Sequence, residues 1–397
     1  GPYATLEATS ADPGWTTVRR RWPGDPGAPG GRPNRVGFDY DAYIPGEIAR
    51  WEPAIPASLA ADAGRVEEAI AGLARLGIAS LLWPLLRTEA IASSRIEGLR
   101  IDHERLARAA FGETDDGLAR AVLGNLDALR RALDVASLPI TIGAILGLHR
   151  ALLAGTRDAA IAGRLRDGQN WIGGRQPNPR GAAFIPPPEG EVPRLLDDLC
   201  RFCERDDLQP SLQAAIAHVQ FETIHPFADG NGRVGRALVH VVLRRRGLTA
   251  DGQGEPVPPP LSLAFAADPD GYVAGLTAFR SGDHERWLDL FVAALHRATV
   301  IAEALAGSVD DLRARWREQA GHPRRDSAAE AIIAGLAEQP VLDLGRATTL
   351  TGVSGEATRR AIDRLAAAGV LREITGGRRR RRWQAAGLLE LLDGLGR

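Results

Sequence analysis

Three observations predict a mainly helical protein with one β-hairpin set into its body and a small α+β unit at its end. From about Ala57 to Ala298 the pattern has helical spacing, as in Ile145, Leu146, His149, Leu152 and Leu153, or Leu212, Ala215, Ile216 and Val219. Inside that stretch, NWIGGRQPNPRGAAFIPPP (Asn170 to Pro188) breaks the period. Two β-type runs, Trp171-Ile172 and Ala183-Phe184-Ile185, flank a Gly/Pro/Asn-rich connection there, as in a hairpin. Beyond the break at Gly321-His322-Pro323, Ser327 to Ala337, Leu344 to Leu350 and Ser354 to Ala368 read as three helices, the last with Ser354 as N-cap. Val370 to Trp383 then reads as a hairpin turning at Gly376-Gly377, which makes the winged form of a helix-turn-helix.

A chain of 397 residues is expected to hold two or three domains. Residues 1–56 are rich in Gly, Pro and Asp, with GDPGAPGGRP at Gly24 to Pro33, and read as a partly flexible arm with no core. Residues 57–298 read as the helical body, 299–326 as a linker helix and 327–397 as the winged unit. With 44% hydrophobic and 25% charged residues, the composition is that of a globular protein rather than a disordered, collagen-like or coiled-coil one. The net charge of -1 gives no global attraction to nucleic acid or acidic membrane. No apolar run approaches roughly 20 residues and the start lacks a signal-peptide succession, so a cytoplasmic location without membrane contact is expected. All 49 basic residues are Arg and Met is absent, which reads as genomic composition bias. Cys200 and Cys203 form a CxxC pair on a helical stretch with no second ligand pair, so both read as small apolar side chains. His149 and His218 read as core histidines with hydrogen-bond partners.

The chemistry concentrates in HPFADGNGRVGR, His225 to Arg236. Pro226 stops the preceding helix and biases His225 away from the α region, leaving an imidazole at the mouth of a loop. The next helix starts around Arg233, so its positive end faces that loop and favours an anion. Gly230, Gly232 and Gly235 let backbone N–H groups approach phosphate oxygens, and Arg233 and Arg236 project forked donors from nearly one face. Asp229 supplies a hard oxygen suited to magnesium, which commonly binds one carboxylate plus the substrate's phosphates. A base, a metal carboxylate and a phosphate cradle are the parts that move a phosphate-bearing group from a nucleotide to a hydroxyl.

These twelve residues resemble the signature of the Fic family, whose members transfer AMP from ATP to a protein hydroxyl. GRLRDGQNWIGG, AAFIPPP, AHVQFETIHPF and the later Trp287 with Phe291 are similar to that family over roughly Ala57 to Ala298. The resemblance implies a helical Fic fold, with His225 as general base toward a Ser, Thr or Tyr hydroxyl and Asp229 as the Mg2+ ligand. It implies that Asn231 and the Gly230 and Gly232 amides hold the α-phosphate, Arg233 meets the β-phosphate and Arg236 the γ-phosphate. Val234 and Gly235 fall within the same nucleotide-binding run, and Tyr272 falls where the family has an aromatic near the adenine. Ile172, Gly173, Phe184 and Ile185 correspond to the family's flap, which aligns a target segment by main-chain pairing.

Ser93, Glu97 and Gly98, in SSRIEG, resemble the family's inhibitory motif, whose Glu pairs with the second motif arginine, here Arg236. Such a pair would occupy the donor that the γ-phosphate needs. The expectation is therefore a protein adenylyltransferase using ATP and Mg2+, autoinhibited by Glu97, acting on a protein target or on itself, with a homodimer within the family's habits. Its rivals are AMP removal, and a nucleotide-sensing DNA-binding regulator. Residues 328–397 carry 11 Arg against 8 Asp and Glu, a net of +3, and Arg378, Arg379, Arg380, Arg381 and Arg382 would meet phosphate at the wing.

Overall fold

The computed structural model describes residues 5–6, 12–27, 31–75, 81–111, 115–174, 177–249, 257–375 and 381–395. In chain order these form β1 (Thr5–Leu6), β2 (Trp15–Trp22), α1 (Arg32–Arg35), β3 (Phe38–Pro45), α2 (Ala57–Arg75), α3 (Leu82–Ile96) and α4 (His103–Ala109). Next come α5 (Gly117–Val135), α6 (Ile142–Leu153), α7 (Val192–Cys203), α8 (Pro210–Ile224), α9 (Asn231–Arg245), α10 (Leu261–Ala267), α11 (Pro269–Arg280) and α12 (His284–Gln319). The chain closes with α13 (Ala328–Gly335), β4 (Val341–Asp343), α14 (Leu344–Thr351), α15 (Gly355–Ala367), β5 (Leu371–Glu373), β6 (Arg382–Ala385) and α16 (Leu388–Gly394). The protein is mainly helical, as its periodicity implies. Two compact units interleave along the chain: Gly1–Glu67, Asp127–Leu248 and Pro269–Ala293 make the first, and Glu68–Leu126, Thr249–Asp268 and Ala294–Arg397 the second.

In the first unit α8 is the central rod. Every residue from Ser211 to Ile224 is buried, so the helix has no wet face and belongs to the core on all sides. Trp287, at the start of α12, is fully buried and donates its Nε1–H to the Ala215 carbonyl at 2.9 Å. α9 is buried from Asn231 to Leu243. A methyl on Gly235 would stand 2.5 Å from Glu222 Oε1, so glycine is what lets α9 approach α8 there. On α7, Cys200 and Cys203 are free and buried, and burial pushes the Cys200 thiol up to about 12 and that of Cys203 well above its ordinary value. Both act as apolar packing groups, in line with their helical setting.

The N-terminal segment departs from expectation. Instead of an arm without a core, β2 and β3 pair antiparallel over their full length, from Trp15 opposite Pro45 to Trp22 opposite Phe38, with β1 on the far side of β2. The sheet continues toward the predicted flap, because the Tyr43 N–H donates to the Ile185 carbonyl at 2.9 Å. Aromatic and β-branched residues in WTTVRRRW and FDYDAYIP supply the strand preference. The Gly/Pro-rich connection between them leads into α1, and its residues 28–30 lie outside the described set.

In the second unit, Leu305, Val309, Leu312 and Trp316 of α12 share one core with Ile332, Ile333, Ile362, Leu365, Trp383 and Leu388. By length and composition α12 would pass for a membrane span. Its Trp287 and Phe291 are core residues of the first unit and its Leu305, Val309 and Trp316 of the second. The C-terminal helices start under side-chain caps: Ser327 accepts from the Glu330 N–H, Asp343 from Arg346 and Ser354 from Ala357. The expected hairpin is present as β5 and β6, and β4, which the sequence did not announce, adds to it in the order β4-β6-β5. The turn at Gly376-Gly377, with Arg378, Arg379 and Arg380, lies outside the described residues.

Candidate active site

The loop between α8 and α9 carries the candidate base. His225 closes α8 with φ 49 and ψ 61, in the left-handed region. Pro226 does remove it from the right-handed helix, but the chain turns left instead of extending. A non-glycine residue held there costs about 1–2 kcal/mol, so the surroundings must fix it. Arg166 does most of this: its Nε donates to the His225 carbonyl at 2.9 Å, its backbone N–H to the Pro226 carbonyl at 3.0 Å, and its other nitrogens to the carbonyls of Gly168 (2.9 Å) and Pro187 (2.5 Å). Burial lowers this guanidinium to about 10, still protonated at neutral pH. Asn170 Nδ2 bridges the carbonyls of His225 (3.2 Å) and Phe227 (3.0 Å). Asn231 accepts from the Phe227 N–H at 2.8 Å and donates to the Phe227 carbonyl at 2.8 Å. Both polar atoms of Asn231 thus hold the loop, and the second Nδ2 hydrogen is the one donor these bonds leave for the expected α-phosphate contact.

The His225 imidazole is 18% exposed and directs Nδ1 at the Glu222 carbonyl, 3.3 Å away. A carbonyl only accepts, so Nδ1 carries the proton and Nε2 keeps its lone pair. Burial, then the nearby Arg280 cation, push this histidine down to about 3. A neutral imidazole with an open lone pair at neutral pH is the form a general base requires.

The anion end of the site is α9. Its N-cap Gly230 has φ 81 and offers no side-chain cap, and a methyl there would meet Leu152 Cδ2 at 2.8 Å. Arg233 is 5% exposed; its Nη2 reaches Asp229 Oδ2 at 3.3 Å, while its Nε is buried without an acceptor. An orphaned donor beside uncapped helix N–H groups is what an oxyanion would satisfy. Arg236 and Gly232 are buried on the same helix, and the Asp229 carboxylate is 57% exposed. Among the described residues no group of three metal-ligating side chains occurs, so Asp229 is a lone carboxylate. That donor set fits an ion completed by phosphate oxygens and water. Two expected contacts need correction. Val234 is a core residue whose N–H closes the first turn onto the Gly230 carbonyl at 3.1 Å, so it has no amide to offer a nucleotide. Tyr272 is 4% exposed, lies in ring contact with His218 and Trp287, and bonds through its hydroxyl to His218 Nε2 at 2.8 Å; it is packed as a core ring with no face open to an adenine.

His149 and His218 are buried core histidines, as read from sequence. His149 stacks on Phe227 at 3.8 Å, donates from Nε2 to the Asp229 carbonyl (3.1 Å) and accepts the Gly163 N–H at Nδ1 (3.0 Å). Burial lowers it to about 4 and His218 to about 3. The flap is pinched where Ile172 and Phe184 pair antiparallel, with Ile172 N–H on the Phe184 carbonyl at 2.8 Å. Gly173 follows with φ 73, a left-handed residue that bends the limb, and residues 175–176 lie outside the described set.

Sequence reasoning missed Arg280. Its Nε donates to Thr223 Oγ1 (3.0 Å), its Nη2 to the Glu222 carbonyl (3.2 Å), and its guanidinium carbon lies 4.0 Å over the Phe184 ring. It thus ties the flap to the last turn of α8. Arg166, Asn170 and Arg280 stand 55 to 59 residues from the histidine they serve, and no local spacing announces them.

In the second unit Ser93 and Ser94 are buried on α3, and Asn125 Nδ2 donates to Ser94 Oγ at 3.2 Å and to the Ala90 carbonyl at 3.0 Å. Glu97 is the exposed C-cap, and Gly98 with φ 80 lets the Leu99 N–H return to the Ser94 carbonyl at 2.9 Å.

The Fic/DOC family model matches residues 139–243, and the Fic/DOC family N-terminal model matches residues 63–134. Proteins named protein adenylyltransferase Fic from Drosophila sechellia and Drosophila melanogaster are 37% identical over 116 residues, which is 28% of this chain and 22% of theirs. The match thus spans about a fifth of the length of these relatives. A crystal structure of a Fic family protein from Desulfovibrio desulfuricans G20 superposes with a TM-score of 0.52 and 22% identity, covering 84% of this chain and 97% of that one, a likeness of fold.

Proposed function

Because the chain belongs to the Fic/DOC family, we propose that it transfers AMP from ATP to a Ser, Thr or Tyr hydroxyl of a protein, itself included. The observation that carries this reading is the pairing of a neutral His225 with an uncapped α9 whose Arg233 Nε lacks an acceptor. Nε2 of His225 takes the proton as the hydroxyl oxygen bonds to the α-phosphorus. The bond from that phosphorus to the bridging oxygen breaks, and pyrophosphate leaves with its charge met by Arg233 and Arg236. Asp229 would hold Mg2+, which supplies charge neutralisation to the phosphates when bound.

Control by Glu97 belongs to the same reading, supported by the Ser93-to-Gly98 pattern; a Glu97 carboxylate on Arg236 would take the donor the γ-phosphate needs. Incubation with labelled ATP and Mg2+ should place label on the protein. Glu97→Gly should increase it, and Arg236→Ala should cancel that increase. Absence of label in both the parent and Glu97→Gly would defeat the transferase reading.

A second reading, DNA contact through a winged C-terminal unit, draws on the order α13, β4, α14, α15, β5, β6. Arg381 is held by Glu373 at 3.0 and 2.7 Å, which leaves phosphate contact to other arginines of the run. Duplex binding that is absent at low salt would retire it.

A further inference from the structure

A cavity of about 440 Å³ opens within the second unit, in the size range of small-molecule sites. One wall is α3: Thr88, Ile91, Ala92 and Arg95 line it at the i, i+3, i+4, i+7 spacing that shares one side of a helix. Leu263 on α10 and Leu392 on α16, both buried, continue an apolar surface with Ile101. A polar tie fixes these walls in advance. The buried His103 donates its backbone N–H (3.0 Å) and its Nδ1–H (2.7 Å) to Asp393 Oδ1, and Thr88 Oγ1 lies 3.4 Å from its Nε2. Side chains of α3, α4 and α16 thus meet around one imidazole. At the rim, Arg100 and Asp102 are exposed, two residues apart and opposite in charge. With Arg95 and Asp393 the lining holds two arginines and two aspartates, whose charges balance.

We infer that this cavity binds an α-amino acid with an apolar side chain. A balanced lining selects neither an anion nor a cation; it suits a molecule with both signs at one end and an apolar body at the other. The forked guanidinium of Arg100 matches the carboxylate. Asp102 Oδ1 accepts the Arg105 N–H at 2.7 Å as the cap of α4, and its other oxygen would take the ammonium. The apolar side chain would lie against Ile91, Ile101, Leu263 and Leu392. Every lining residue belongs to the second unit, so the site shares no residue with the cradle on α9. One consequence rests on the transferase reading, although binding itself does not: Arg95 stands two residues before Glu97, so an amino acid here would bear on the helix that carries the inhibitory motif.

The test titrates the full chain calorimetrically with L-phenylalanine, with N-acetyl-L-phenylalanine, which lacks the ammonium, and with L-phenylalaninamide, which lacks the carboxylate. L-phenylalanine should bind at one site, and each blocked form should bind more weakly by about tenfold or more. Arg100→Gln and Asp102→Asn change exposed side chains, and the second keeps a capping residue; each should weaken L-phenylalanine by about tenfold. Arg100→Gln should leave the affinity for the amide unchanged, because that compound has already lost the contact. Ile91→Trp fills the apolar part and should abolish binding; if its urea unfolding shows that it does not fold, the two rim variants decide. No binding of L-phenylalanine by the parent, equal affinity for a blocked form, unchanged affinity in either rim variant, or full affinity in a folded Ile91→Trp overturns the site. None of these readouts depends on AMP transfer.

Discussion

Two His-Pro pairs in this chain adopt the same unusual backbone. His225 and His322 both have φ 49, both close a helix and both precede proline. His322 is exposed at the end of α12, where its N–H returns to the Arg317 carbonyl at 2.8 Å and Gly321 precedes it with φ 69. That is helix termination, held by the backbone. His225 is partly buried, its carbonyl is gripped by two side chains from a distant segment, and its ring is kept neutral by desolvation and a neighbouring cation. Neither the dipeptide nor the dihedral makes a site; the bracing does.

The largest break in this comparison is chemical. His225→Ala should lower labelling by roughly 10²–10⁴-fold while leaving ATP affinity within a few-fold, and His322→Ala should change neither. Radiolabel incorporation and equilibrium nucleotide binding check it; parallel loss of both in His225→Ala would mean the ring is structural. Next comes the brace. Arg166→Met strands carbonyls of His225, Gly168 and Pro187 and should cost about 2–4 kcal/mol in denaturant unfolding. Among the described residues His322 has no comparable side-chain brace to remove.

The third test is acid. His149, His218 and His225 have folded values of about 4, 3 and 3, below the unfolded value near 6.5. The unfolded chain therefore binds protons first, so stability is full above about pH 6.5 and falls as pH drops toward 4, by about 1.4 kcal/mol per unit for each histidine. His225→Gln should flatten the slope by one histidine, measured by urea unfolding at stepped pH. Arg280→Met should move the His225 titration, followed by NMR, back toward the ordinary histidine value, since it removes a cation, and Arg280→Lys should hold it low. The smallest effect is His322→Gly, which relieves the left-handed residue but frees the unfolded chain, for a net change under about 1 kcal/mol in thermal unfolding.

What the sequence made legible was local. The loop between two helices, the Ser354 cap and the hairpin of β5 and β6 follow from residues within a dozen positions of one another. What it hid was tertiary. The strands at Trp15–Trp22 and Phe38–Pro45 were masked by the glycines and prolines between them, although their aromatic and β-branched residues were visible. Val234 sits within the motif and Tyr272 on α11, and packing turned both inward. Arg166, Asn170 and Arg280 reach His225 across more than fifty residues, a distance at which no spacing rule operates.

The interleaving of the two units also sets a clock on synthesis. His225 and α9 leave the ribosome before α11 and the first turns of α12, which bring Arg280 to the flap and Trp287 to α8. At roughly 5–20 residues per second the delay is on the order of several seconds. Through that interval the nascent chain holds the signature residues without the support that keeps the imidazole neutral and the flap in place.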